Sequence, residues 1–78
     1  GLTPVHFAAV RGHAAFIEAL QRLGAAIDAP NGKGATPMHA AAYNGHADAV
    51  ETLHRLGAAI DRPLPNGTTA VHLAAQNG

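Results

Sequence analysis

Six histidines, five acidic side chains and a few threonine hydroxyls hold most of the chemistry open to these 78 residues. There is neither serine nor cysteine, so the chain has no serine or thiolate nucleophile, no disulfide and no thiolate zinc site. His6, His39 and His72 recur at a spacing of 33, which suggests a metal ladder. Zinc needs its ligand nitrogens about 2 Å away and converging on one point. Side-by-side helices lie about 8–10 Å apart, so a ladder of equivalent histidines cannot converge. His6 and His13 stand on either side of Gly12 without the i, i+4 spacing of a helical metal pair. We therefore expect no metal and no cofactor, and a structural imidazole bonded to the nearby threonine hydroxyl or a backbone group. Asp28 and Asp61 are the paired carboxylates, one period apart in polar turns where nothing should desolvate them; they are expected to hold those turns. Asn66-Gly67-Thr68 has the form of a glycosylation acceptor, but a tight turn demands the same residues and the turn reading is preferred.

The elements that must carry these groups are set by the period itself. Gly1-Leu2-Thr3-Pro4-Val5-His6-Phe7-Ala8-Ala9-Val10-Arg11-Gly12-His13 returns as Gly34-Ala35-Thr36-Pro37-Met38-His39-Ala40-Ala41-Ala42-Tyr43-Asn44-Gly45-His46 and starts again at Gly67-Thr68-Thr69-Ala70-Val71-His72. The run Glu18 to Asp28 likewise matches Glu51 to Asp61. A fixed period of this size means stacked copies of one small supersecondary unit. Such a stack offers an extended surface, where a catalytic pocket needs dissimilar groups converging on one point, so the reading is a binding protein rather than an enzyme.

Within one unit, Thr3-Pro4 starts a helix: the hydroxyl caps an orphan N–H, and proline suits the first turn. Val5, Ala8 and Ala9 fall on one helical face. Gly12 ends that helix by accepting left-handed geometry. A second helix is expected over roughly Ala14 to Leu23, with Phe16, Ile17 and Leu20 along one buried stripe and Gly24 as its stop. Both helices are too short to persist alone, so packing must hold them. The pairs Ala8/Ala9, Ala41/Ala42 and Ala74/Ala75 let neighbouring first helices approach closely, while Phe16, Ile17, Leu20, Val50 and Leu53 hold the second helices further apart. The expected result is a curved stack with the first helices on its concave side. Ile27 and Ile60 should tuck beneath it. Between units, Asn31-Gly32 is a tight-turn signal, and Pro30, Pro63 and Pro65 forbid helix. Glu18 with Arg22 and Glu51 with Arg55 have the favourable order of i, i+4 ion pairs.

Composition narrows the partners. Net charge is +0 and only 13% of residues are charged, without a basic run that could track a phosphate backbone, so neither nucleic acid nor an anionic membrane is expected. No apolar stretch approaches the roughly 18 residues of a membrane span. The chain has no initiator methionine and breaks off within its third copy, and it reads as a piece of a longer array.

Thr3-Pro4-Val5-His6-Phe7-Ala8 and Thr36-Pro37-Met38-His39-Ala40-Ala41, with Gly-His at 12–13 and 45–46 and Gly-Ala at 24–25 and 57–58, resemble the ankyrin repeat across the whole chain. The resemblance implies an all-α solenoid of helix-turn-helix units: a first repeat over 1–33, a second over 34–66 and a truncated third over 67–78. Departures are Gln21 and His54 where that family has a second leucine, with Leu23 and Leu56 expected to restore part of the burial, and Ala70 in place of the helix-starting proline, which should weaken the third start. The resemblance also implies a non-catalytic module that binds another protein inside the cell, in cytoplasm or nucleus, and takes no small-molecule substrate. An alternative is a regulatory or substrate-docking segment of a larger enzyme. By position, the partner would meet turn residues Gly32, Lys33, Pro65 and Asn66, and the positions flanking the first helices: Leu2, Val10 and Arg11; Ala35, Tyr43 and Asn44; Thr68, Gln76 and Asn77. These sites differ most between copies, with Tyr43 the candidate anchor.

Overall fold

The computed structural model describes residues 3–77, with side chains as far as Gln76. The described residues form five helices and no strand: α1 (Pro4–Arg11), α2 (Ala14–Arg22), α3 (Pro37–Tyr43), α4 (Ala47–Arg55) and α5 (Ala70–Asn77). They stack in two layers. α1, α3 and α5 lie side by side in one, α2 packs on α4 in the other, and each second helix folds back on its own first. The body measures 31 × 24 × 19 Å.

Each first helix begins as the Thr-Pro pair dictates. The Thr3 and Thr36 hydroxyls accept the His6 and His39 backbone N–H, and the same imidazoles accept the threonine N–H through Nδ1. This is a capping box in which histidine takes the place usually held by Glu or Gln. Because Nδ1 receives an N–H, it carries no proton, and Nε2 is the ring's donor. α5 starts in the same way from Thr69 and His72, and Ala70 is buried there; the missing proline has not moved the start.

The core is small-residue packing between the first helices, closed from the other side by the second. Val5, Ala8, Ala9, Ile17, Met38, Ala41, Ala42, Ala49, Leu53, Ala58 and Ala70 are all buried. Leu20, Val50, Ile27, Ile60 and Leu56 pack partly against them. Phe16 does not belong to the buried stripe: it is 53% exposed, and Leu23 is 84% exposed, one residue beyond the end of α2. The physical reason lies in the 33-residue register. Their counterparts Ala49 and Leu56 belong to the packed core or its margin between the two helix pairs, whereas Phe16 and Leu23 of the first pair have no preceding pair to pack on among the described residues. Ala74 and Ala75 are likewise exposed, in contrast to the earlier alanine pairs.

The expected ion pairs along each second helix are replaced by one between them. Arg55 reaches Glu18 at 3.4 Å, from α4 to α2. Asp28 departs from its expected solvated role in a similar way. One carboxylate oxygen accepts the Ala59 N–H at 3.4 Å and lies 3.9 Å from Arg62, which also donates to the Asp28 backbone carbonyl. The other oxygen is buried without a partner among the described residues. The aspartate therefore joins one turn to the next, whereas Asp61 is exposed.

Candidate functional site

Three side-chain bonds fix how neighbouring units sit, and so how any shared surface is shaped. His6 Nε2 donates to the Ala35 carbonyl at 2.8 Å, tying α1 to the turn before α3. His46 Nε2 meets the Val10 carbonyl at 2.9 Å, closing the C-terminal end of α1 from the following unit. Gly12 makes room for that ring: at φ +73° it takes the left-handed conformation, and a Cβ there would lie 2.7 Å from His46 Nδ1. Asp28 makes the third link. Of the three histidines that close the helix caps, His6 also braces the next unit; His6 and His39 are buried and His72 is exposed. His39 Nε2 is the exception to the bonding, since it finds no acceptor among the described residues. Burial holds its imidazole below the ordinary histidine range; the Arg62 backbone and the Asp28 carboxylate oppose that shift, and the Arg62 charge adds to it.

On this frame the positions singled out from the sequence fall into two rows rather than one contiguous patch. Lys33 and Asn66 are exposed at the turns, with Ala35 and Thr68 half-buried beside them, all preceding the N-terminal ends of α3 and α5. Val10, Arg11, Tyr43, Asn44 and Gln76 are exposed at or just past the opposite ends of α1, α3 and α5. The rows are separated by the length of α3, about 10 Å at 1.5 Å per residue. Leu2 and the side chain of Asn77 lie outside the described residues.

Side-chain hydrogen bonds are present in both rows. In the turns, Asn31 Oδ1 accepts the Lys33 and Ala35 N–H at 2.8 and 3.0 Å, and Asn66 Oδ1 accepts the Thr68 N–H at 2.9 Å. The Ala35 carbonyl receives both Asn31 N–H and His6, so this residue serves the frame through its backbone. At the other row, Asn44 Nδ2 donates to the Ala40 carbonyl at 2.8 Å, and Tyr43 is 61% exposed. The Arg11 guanidinium lies 5.2 Å from the Phe7 ring centre, a cation–π distance.

Phe7 was not among the expected site residues, yet it is 56% exposed and joins Phe16, Arg11 and His13 around an open groove of ≈ 630 Å³. A signal existed: position 7 is Phe where its copies are Ala40 and Leu73, a variation as wide as at the chosen sites. A second groove, ≈ 520 Å³, lies between α4 and the end of α3, lined by Val50, Glu51, His46 and Ala74 among others. Among the described residues no cluster of three His, Asp or Glu side chains is placed to hold a metal, and no helix is long and apolar enough to cross a membrane.

No curated protein matches the sequence. A family model for ankyrin repeats, three copies, matches residues 1–63. With the Thr-Pro-x-His caps, the paired helices and the His46 brace in place, the chain belongs to the ankyrin-repeat family.

Proposed function

We propose that this chain binds a partner protein across the two exposed rows of its α1/α3/α5 layer. Ankyrin repeats are in general protein–protein interaction modules. The observation that carries the proposal is the succession Val10, Tyr43, Gln76 at equivalent exposed positions on three adjacent helices. An aliphatic, an aromatic and an amide side chain stand in line on a frame whose capping threonines and histidines and close-packed alanines repeat. Tyr43 is the anchor, since a large amphipathic ring gives contact area at little rotamer cost. Arg11 and Lys33 lie at the margins and set association rate and salt dependence more than affinity. One unit is small against the roughly 800 Å² per partner of a standard interface, so the partner spans at least two units. The turn residues Lys33, Ala35, Asn66 and Thr68 form the second edge of contact; by sequence position alone, Leu2 is the counterpart of Ala35 and Thr68, and Asn77 that of Arg11 and Asn44. No catalytic role is assigned to the chain.

The test uses binding measured against a partner first captured with the chain and then purified. Tyr43→Ala should weaken binding by about 2 kcal/mol or more if the ring is a central anchor, while Glu51→Ala on α4 should leave it unchanged. Loss with the α4 variant and none with Tyr43→Ala would place the interface on the opposite layer.

A further inference from the structure

Three Asn-Gly pairs lie wholly within the described residues, at 31–32, 44–45 and 66–67, and the fold treats them differently. An asparagine followed by glycine can lose its side-chain amide by internal attack. The next residue's backbone nitrogen gives up its proton to water or hydroxide and bonds to Cγ; Nδ2 then takes a proton from water, the Cγ–Nδ2 bond breaks and ammonia leaves, giving a succinimide. Water opens that ring at either carbonyl to aspartate or isoaspartate. The rate depends on a free nitrogen and on a polarised side-chain carbonyl, and glycine matters because it has no Cβ to hinder the approach.

At Asn44 both ends are held: Nδ2 donates to the Ala40 carbonyl, and the Gly45 N–H donates to Ala42 at 3.1 Å within the α3 C-cap. At Asn66 the nucleophile is held, because the Gly67 N–H donates to Leu64 at 2.8 Å. At Asn31 neither restraint applies. The Gly32 N–H has no hydrogen-bond acceptor among the described residues, and Gly32 is exposed. Asn31 Oδ1 accepts two backbone N–H groups, from Lys33 and Ala35. Two amide donors on one carbonyl oxygen draw charge from Cγ and stabilise the oxyanion that forms when it is attacked. We propose that, of the three pairs, Asn31-Gly32 is the site of spontaneous deamidation, activated by the turn that Asn31 caps.

The two products act on the fold in opposite ways. Aspartate keeps the backbone length, and its carboxylate accepts the same two N–H groups more strongly. Isoaspartate adds a methylene to the main chain between 31 and 32. That shifts the Asn31 N–H···Ala35 and Gly34 N–H···Asn31 pairing, and with it the carbonyl that receives His6 Nε2. Ageing at this turn therefore loosens the joint between the first two units.

The 78-residue chain should be incubated at mildly alkaline pH, folded and in urea, and digested at intervals so that Asp and isoAsp are quantified at 31, 44 and 66 by mass spectrometry. In the folded chain residue 31 should react several-fold faster than 44 or 66, and in urea the three rates should converge. Gly32→Ala, whose added Cβ meets no atom within 4 Å, should slow residue 31 in the folded chain. The isoaspartate-containing fraction should melt below the parent, and Asn31→Asp should not. Equal rates in the folded chain, a faster 44 or 66, or a preference for 31 that persists unchanged in urea would each overturn the proposal.

Discussion

Gly12 and Gly45 offer a matched pair of perturbations, because both adopt φ +73° and only one is crowded. Alanine in this left-handed region costs about 1–2 kcal/mol on conformational grounds alone. At Gly45 no atom lies within 4 Å of the added Cβ, so that is the whole expected cost. At Gly12 the Cβ would lie 2.7 Å from Nδ1 and 2.8 Å from Cγ of His46. Cγ is the root of the ring rather than its flexible tip, so the whole imidazole must move. Its Nε2 bond to the Val10 carbonyl then goes, worth about 0.5–1.5 kcal/mol, together with the ring's packing on α1. Gly12→Ala should therefore cost about 1 kcal/mol or more beyond Gly45→Ala. Urea unfolding followed by circular dichroism measures both, with the slope of the transition checked for constancy. In a His46→Ala background the difference between the two glycine sites should vanish. Equal costs in the parent, or a difference that survives removal of His46, would refute the idea that Gly-His joins consecutive units.

Further outcomes are expected from other joints. His39 has its folded pKa below the usual 6.5, so its contribution to stability is complete above that value and is lost as pH falls from 6.5 towards the folded value. His39→Gln keeps a side chain able to close the capping box but cannot ionise, and it should flatten the pH dependence of the urea midpoint between about pH 7.5 and 5; an unchanged slope would rule His39 out as its source. Ala41→Leu, at a fully buried site between first helices, should cost about 1–3 kcal/mol through overpacking, and Ala74→Leu at the exposed equivalent should be nearly neutral in thermal melts. A double-mutant cycle on Glu18 and Arg55 should give a coupling of about 0.2–1 kcal/mol that fades with salt, whereas Glu18 with Arg22 should show none. Amide exchange should be faster in α5 than in α3, because α5 has no second helix folded back on it among the described residues.

Most of the fold could be read from residue type and spacing. Thr-Pro marks where α1 and α3 begin, Gly12 marks where α1 ends, and the alanine pairs identify the close-packed faces of α1 and α3. These features are local: a cap or a left-handed glycine involves residues within one turn of helix. What escaped the reading depends on the neighbour. Glu18 has Arg22 at the right spacing and Arg55 across the layer, and periodicity alone ranks the first above the second. Phe16 lies one residue before Ile17, and the sequence pattern could not tell which of the two meets α1 and α4 and which faces outward. His72 repeats the pattern of His6, but the buried environment of His6 comes from the following unit, and among the described residues no such unit packs on α5. The candidate surface was partly visible as variation between copies. Its division into two rows follows from the length of α3, which the list of variable positions did not convey.

The joints themselves explain why such variation is tolerated. His6 donates to the carbonyl of Ala35, His46 to the carbonyl of Val10, Arg62 to the carbonyl of Asp28, and Asp28 accepts the N–H of Ala59. In each case a side chain grips a main-chain atom of the adjoining unit. Any residue offers a carbonyl, and any except proline an N–H, so the contact constrains the path of the backbone and little else. Val10 can hold the His46 brace while its own side chain points outward, 37% exposed, and its copies can be Tyr43 or Gln76 without disturbing the stack. Ala35 can likewise anchor His6 while its counterpart is Thr68. Had the joints been made between side chains, each change at the surface would have required a matching change in the next unit. Side-chain-to-backbone bracing separates what holds the units together from what they present, and that separation lets one 33-residue pattern carry dissimilar exposed residues in successive copies.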